Sequence, residues 1–307
     1  MLPTFNRARN NVAHRIGFPN EANLTCKLPM YEAVASYCRE TPMRDVDVLE
    51  LMRLANSDPA LATEVLVLAN SPASVYCAKI YSLPDAVAVL GAELTASLIV
   101  RLSNWSSGPR KFDPEVLRPI WAHGLAAAVI GREISTALSI PKTVGYAVGL
   151  THDVGRLGML SASPAEYSAL ASHPHASSAD MLDCEQKLLG MDHCRAGHWL
   201  AGTWGLPPAF ANASARHHFE GQADCAETGS LAAIACQVAG RIGYPEFPAA
   251  APADDEDAET LSARLRRRFN VDLDKLRREI QQTIWFFDSR PPEWTETMPD
   301  EGAVLEQ

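Results

Sequence analysis

Apolar positions along this chain recur at helical spacing, and start and stop signals divide them into many short helices. Asp58-Pro59 supplies an N-cap with proline at the first helical position, which predicts a helix over Ala60 to Ala69. Pro84 opens a short helix that Gly91 ends, and a second follows to Asn104. Asp113-Pro114 repeats the start signal, and Pro119 re-initiates or kinks just beyond it. Gly205-Leu206-Pro207-Pro208 separates a helix over residues 192–204 from one over 208–218. The stretch Val144 to Leu160 is apolar on opposite sides, with Leu150, Val154 and Leu157 on one stripe and Val148 and Met159 flanking another; a helix apolar all round is buried. Leu273, Leu276, Ile280, Ile284 and Phe287 form a later stripe with Arg and Lys opposite, predicting an amphipathic helix within 259–289. No β-branched alternation of strand length appears, so the predicted class is all-α.

Helical phase also orients the histidines. His123 shares a stripe with Ala127, Ile130 and Ile134, His193 with Gly197 and Leu200, and His217 with Phe210 and Ala213. His152 and Asp153 fall inside the all-round apolar stretch. Three inward histidines and an inward His-Asp pair are costly apart, and convergence is the cheapest remedy. Neutral imidazoles with a carboxylate suit a divalent transition metal, the candidate cofactor. His14, His173, His175 and His198 lack such support and read as surface or loop residues.

Composition narrows the classes. The 307 residues are 47% hydrophobic and 21% charged, with a formal net charge of −10, which disfavours nucleic acid and anionic membrane as partners. No apolar run approaches the roughly 20 residues that span a bilayer, and the basic N-terminus lacks the apolar region of a secretory signal. The cysteines at 26, 38, 77, 184, 194, 225 and 236 form no Cys-x-x-Cys pair, which argues for free thiols in a reducing cytoplasm. Walker, Rossmann and Gly-x-Ser-x-Gly motifs are absent. The two helices joined at Gly91 would make a poor DNA reader, because Arg101 is the sole basic residue of the second. Residues 105–111 and the Pro/Ala/Asp/Glu-rich 246–258 read as linkers, the second as low-complexity and mobile.

Several motifs in order carry a family resemblance. Asn56-Ser57-Asp58-Pro59-Ala60-Leu61-Ala62 and Val65-Leu66-Val67-Leu68-Ala69-Asn70-Ser71 resemble the opening of HDOD domains. The likeness continues through Ile80-Tyr81-Ser82-Leu83, Trp121-Ala122-His123, Gly149-Leu150-Thr151-His152-Asp153-Val154-Gly155-Arg156-Leu157, Gly190-Met191-Asp192-His193, Trp204-Gly205-Leu206-Pro207 and His217-His218. It implies an HD-like helical bundle with an N-terminal helical layer, related to the HD phosphohydrolases. It also implies a regulatory role in bacterial signal transduction, exercised through contacts with signalling proteins rather than by catalysis. The expected organisation is an N-terminal extension (1–23), an HDOD domain (24–245, with layers 24–104 and 112–245), an acidic linker (246–258), a C-terminal helix (259–289) and a frayed tail (290–307).

By the same resemblance His123, His152 and Asp153 match the first three ligands of the HD hydrolases; with the inward His193 and His217 they form the candidate metal set, to which His218 or Cys236 could add a donor. The set is degenerate, because the later aspartate of the hydrolases falls near Ala235-Cys236-Gln237, where no carboxylate stands. The alternative function is a metal-dependent phosphohydrolase or cyclic-dinucleotide phosphodiesterase. Gly243-Tyr244-Pro245 resembles the hallmark of the latter, but stands about 25 residues beyond His218 instead of a few, and reads as coincidence. Trp285-Phe286-Phe287 motivates a further expectation, a homodimer.

Overall fold

The computed structural model describes residues 27–43, 46–72, 78–107, 112–175, 177–218, 228–248 and 258–288. Among them are fourteen α-helices, one 3₁₀ turn and no strand, in agreement with the all-α expectation. His14 lies outside the described residues.

The N-terminal layer holds α1 (Glu32–Glu40), α2 (Val48–Ala55), α3 (Pro59–Ala69) and α4 (Leu83–Ser106). Asp58 caps α3 by accepting from the amides of Ala60 (2.8 Å) and Leu61 (3.0 Å), and its second oxygen accepts from Tyr31 N (2.9 Å). Ser82 and Asp113 cap α4 and α5 (Pro114–Ser135) in the same way, each ahead of a proline in the first turn. Helix α4 bends at Gly91 (φ 76°, ψ 167°), in agreement with two helices joined there. It is the one helix among the described residues long and apolar enough by composition to cross a membrane. Gly91 divides it, however, and neither arm reaches the roughly 20 residues of a span.

The second layer is built on α5, which packs along α6 (Lys142–Thr151) and α12 (Thr228–Arg241). Around them lie α7 (Val154–Ala162), α8 (Pro164–Ala171), α9 (Ser178–Leu189), α10 (His193–Thr203) and α11 (Pro208–Arg216). Helix α3 packs on α6 and α7, which joins the layers, and one apolar core runs from Leu28 to Phe287.

Four expectations need correction. His152 and Asp153 do not lie within a continuous helix: α6 ends at Thr151 and α7 begins at Val154, so the pair forms the corner between them. The expected C-terminal helix is two, α13 (Ala258–Phe269) and α14 (Leu273–Asp288), because Asn270 adopts a left-handed conformation (φ 58°). The linkers also begin later than expected. Trp105 and Ser106 belong to α4, while Glu246 and Phe247 are buried; residues 108–111 and 249–257 lie outside the described residues. The aromatic cluster is divided, since Phe287 is buried and Phe286 packs edge-on against it, leaving Trp285 alone exposed.

The stripe Leu273, Leu276, Ile280, Ile284 and Phe287 is buried where α14 packs on α5 and α1. Arg132 to Glu279 (2.7 Å) and Tyr31 Oη to Asp288 (2.8 Å) fix the two ends of that contact.

Candidate functional site

Two glycines beside the α6–α7 corner allow the site to assemble. A Cβ on Gly149 would lie 2.3 Å from the Ala127 carbonyl oxygen, and one on Gly155 would lie 1.9 Å from that of His193. Only glycine lets α6 approach α5, and α7 approach α10, this closely. His123 of α5, His152 and Asp153 of the corner, His193 of α10 and His217 after α11 thereby meet in the interior, each between 0% and 4% exposed. All five sequence-predicted donors converge. His173 and His198 are exposed, as expected. His175 is not: it is buried, bonds through Nε2 to the Leu170 carbonyl (2.9 Å) and packs edge-on against Phe247.

Backbone carbonyls orient the imidazoles. The Nδ1 atoms of His123, His152 and His217 lie 2.8, 2.7 and 2.8 Å from the carbonyl oxygens of Tyr244, Gly149 and Ser214. A carbonyl only accepts, so each Nδ1 carries a proton and each ring turns its Nε2 inward. His193 Nδ1 makes the equivalent bond to Glu185 Oε2 (2.6 Å). Neighbouring ring centroids are 5.2 Å apart for His123–His152, 4.9 Å for His152–His217 and 4.2 Å for His217–His218.

The inward atoms are under-satisfied. His123 Nε2, His152 Nε2, His218 Nε2 and Asp153 Oδ1 are buried without a directed hydrogen bond. Asp153 Oδ1 lies 3.1 Å from His217 Nε2, and that atom faces His193 Nε2 at 3.2 Å. Two lone pairs at such a distance repel unless a proton or a cation stands between or beside them.

Four residues outside the predicted set, Arg156, Tyr167, Glu185 and Glu246, complete the cluster. Arg156, fully buried on α7, places Nε 3.1 Å from Asp153, one terminal nitrogen 3.5 Å from Glu185 and the other 2.5 Å from Glu246. Tyr167 Oη lies 3.2 Å from both Arg156 and Glu185. Glu246 also receives the Cys236 thiol (3.3 Å) and has His218 Nε2 at 3.2 Å. Arg156 stands three residues after Asp153, a helical spacing that could have marked it as inward. Glu246 gave no such signal, because it opens a stretch with linker composition.

Burial pushes the protonation states apart. It drives the His152 pKa down to about 3 and lowers that of His123, keeping both rings neutral. Burial alone would raise Asp153, but Arg156 and His152 hold its carboxyl well below the usual range. The same opposition, with His218 and Arg156 outweighing burial, depresses Glu246, and His193 depresses Glu185. His217 is raised against burial by Cys194 and Asp153. Cys236 is raised well above the ordinary thiol value by burial and Glu246, so it is a neutral donor and not a thiolate. Three carboxylates against one guanidinium leave the interior with an excess of negative charge, which a proton on His217 or a cation would offset.

That excess suits a divalent cation, and so does the donor set. Ligand atoms of His152, Asp153 and His217 lie within 4.8 Å of one another, as do those of His123, His152 and Cys236. The Nδ1 bonds to carbonyls and to Glu185 are of the kind that orient histidines in metal sites.

An HDOD domain is matched over residues 28–219. No curated protein matches the chain. Among solved structures the chain is similar to the MmoQ response regulator of Methylococcus capsulatus str. Bath, at 25% identity over 83% of this chain and 98% of that one, with a TM-score of 0.65. It is also similar to a virulence factor of Campylobacter jejuni subsp. jejuni, at 14% identity over 94% and 99% of the two chains, with a TM-score of 0.55. The second likeness is one of fold.

Proposed function

The chain belongs to the HDOD family, and we propose that it is a regulatory module of bacterial signal transduction that acts through protein contacts and hydrolyses nothing. The similarity to a response regulator supports the signalling half of this reading. The observation that carries the non-catalytic half is Arg156. Its three nitrogens face Asp153, Glu185 and Glu246, so the carboxylates a hydrolytic centre would use on metal and water are engaged in a buried ion network. On α12 the inward residue is the neutral thiol of Cys236.

The cluster is on this reading a hub that fixes the relative positions of α5, the α6–α7 corner, α9, α10, α11 and the segment carrying Tyr244 and Glu246. The outer surfaces of those elements then meet partners in one arrangement. A divalent ion would be held by His123, His152, Asp153 and His217, and when bound it would supply the positive charge the interior lacks.

The two inward imidazole nitrogens without a hydrogen-bond partner, His123 Nε2 and His152 Nε2, favour a second reading, a metal-dependent phosphohydrolase or cyclic-dinucleotide phosphodiesterase. Elemental analysis of protein purified without chelator, followed by assays on a generic phosphodiester and cyclic di-GMP with manganese or iron, separates the two. The regulatory reading expects no turnover with either metal. Metal-dependent turnover that His152→Ala abolishes would overturn it.

A further inference from the structure

Six large hydrophobic side chains are exposed among the described residues, and four of them, Val48, Leu49, Leu94 and Val100, lie on α2 and α4. These helices pack against each other. The arm of α4 after Gly91 buries one face and leaves Glu93, Leu94, Ser97, Val100, Arg101 and Asn104 exposed. Glu93, Ser97, Val100 and Arg101 of that stripe also line an open groove of about 840 Å³, together with Met43, Val46, Ala92 and Ala96. An apolar surface of this kind is commonly an interaction site.

The order of residues on the stripe identifies what covers it. Taken about Ser97, the stripe reads the same way toward each end: Leu94 and Val100 stand three residues to either side, and Glu93 and Arg101 four. Two copies of a helix crossing antiparallel about a two-fold axis pair each residue with its counterpart on the far side of the centre. With Ser97 at the axis, Glu93 of each copy meets Arg101 of the other and Leu94 meets Val100. Eight residues of helix separate the charges by roughly 12 Å, so the two ion pairs would bracket a small apolar centre. Ser97 and Ala96 are small enough at the crossing for close approach. Among the described residues no ion pair of Glu93 or Arg101 is found; the charge of Arg101 acts on Glu64 at longer range.

We infer that the chain forms a two-fold homodimer through antiparallel contact of the post-Gly91 arm of α4, centred on Ser97, with Val48 and Leu49 of α2 at its flank. The Trp285-Phe286-Phe287 cluster that motivates the homodimer expectation lies on α14 and plays no part in this interface.

Charge exchange tests it on the full chain. Sedimentation velocity at micromolar concentration should find a wild-type dimer. Glu93→Arg and Arg101→Glu should each be monomeric, because each sets like charges against each other twice. The double variant Glu93→Arg/Arg101→Glu should recover the dimer, and an equimolar mixture of the two single variants should form a heterodimer. Trp285→Ser should remain dimeric, and circular dichroism of the exposed-site variants should match wild type. A monomeric wild type, a dimer indifferent to both single exchanges, a double variant that stays monomeric, or a dimer lost in Trp285→Ser would each overturn the proposal.

Discussion

Replacing Arg156 by leucine should be among the most damaging single changes available in this protein, and its effect should depend on pH. The side chain is fully buried and faces three carboxylates through three nitrogens. Leucine leaves Asp153, Glu185 and Glu246 buried without their cation. Breaking a buried ion pair from one side costs about 3–5 kcal/mol, against a total stability of about 5–15 kcal/mol. With a urea dependence near the top of the range, about 3 kcal/mol/M, the unfolding midpoint at pH 7 should fall by roughly 1–2 M. The pH dependence follows from the direction of the shifts. In the wild type the three carboxyls are depressed, so their contribution is present above the unfolded carboxylate values and is lost only as pH falls through the lower folded ones. In the variant burial acts without Arg156, the carboxyls rise, and the folded state takes up protons that the unfolded chain releases. Acidification from pH 7 to 5 should therefore narrow the gap between the two proteins. Arg156→Lys should lie between them, because one ammonium cannot serve three separated carboxylates. Equal midpoints at pH 7, or a gap that stays constant on acidification, would refute the charge accounting.

Gly155→Ala should lower thermal stability severely or abolish soluble expression, since its Cβ would stand 1.9 Å from the His193 carbonyl; melting like wild type would mean that α7 and α10 are farther apart than described. Asp58, whose pKa burial raises to about 6, should favour folding most below pH about 4 and lose up to about 3 kcal/mol of that advantage as pH rises through 6. Urea midpoints of wild type should therefore decline from pH 4 to 7 relative to Asp58→Asn, and parallel curves would contradict the shift. Cys236→Asp should melt below wild type without metal, because it sets a second carboxylate against Glu246, and should gain more in melting temperature on adding manganese. A metal-induced gain no larger than that of wild type would remove Cys236 from the neighbourhood of His123 and His152.

Much of this architecture is legible in local chemistry. Asp58-Pro59 and Asp113-Pro114 mark helix starts through an unsatisfied N-terminal amide and a fixed proline φ, both properties of two or three adjacent residues. The inward histidines were readable because their stripes carry residues such as Ile130 and Leu200, whose burial is hardly in doubt. The α6–α7 corner was not readable. Apolar residues cover every side of Val144 to Leu160, so a change of direction leaves no trace in periodicity, and what permits it is contact with His193 and Ala127, far away in sequence. The burial of His175 likewise depends on Phe247, seventy-two positions later.

Glu246 is the more instructive omission. The resemblance places a later carboxylate on the inner face of α12, at residues 235–237, where the chain has none. The chain instead brings the carboxylate from the segment after α12, where the Tyr244 carbonyl fixes the His123 tautomer and Glu246 reaches Cys236, His218 and Arg156. Charge accounting would have predicted that such a residue exists. Arg156 lies on the inward side three residues beyond Asp153, and a guanidinium has five donors to satisfy. One aspartate cannot do so, and an interior that holds an arginine must draw further acceptors from elsewhere in the chain. Once Glu185 and Glu246 have answered that need, the balance is two negative charges beyond what Arg156 neutralises. The same reasoning that calls for the carboxylates therefore calls for protons or a divalent ion among the histidines to offset them.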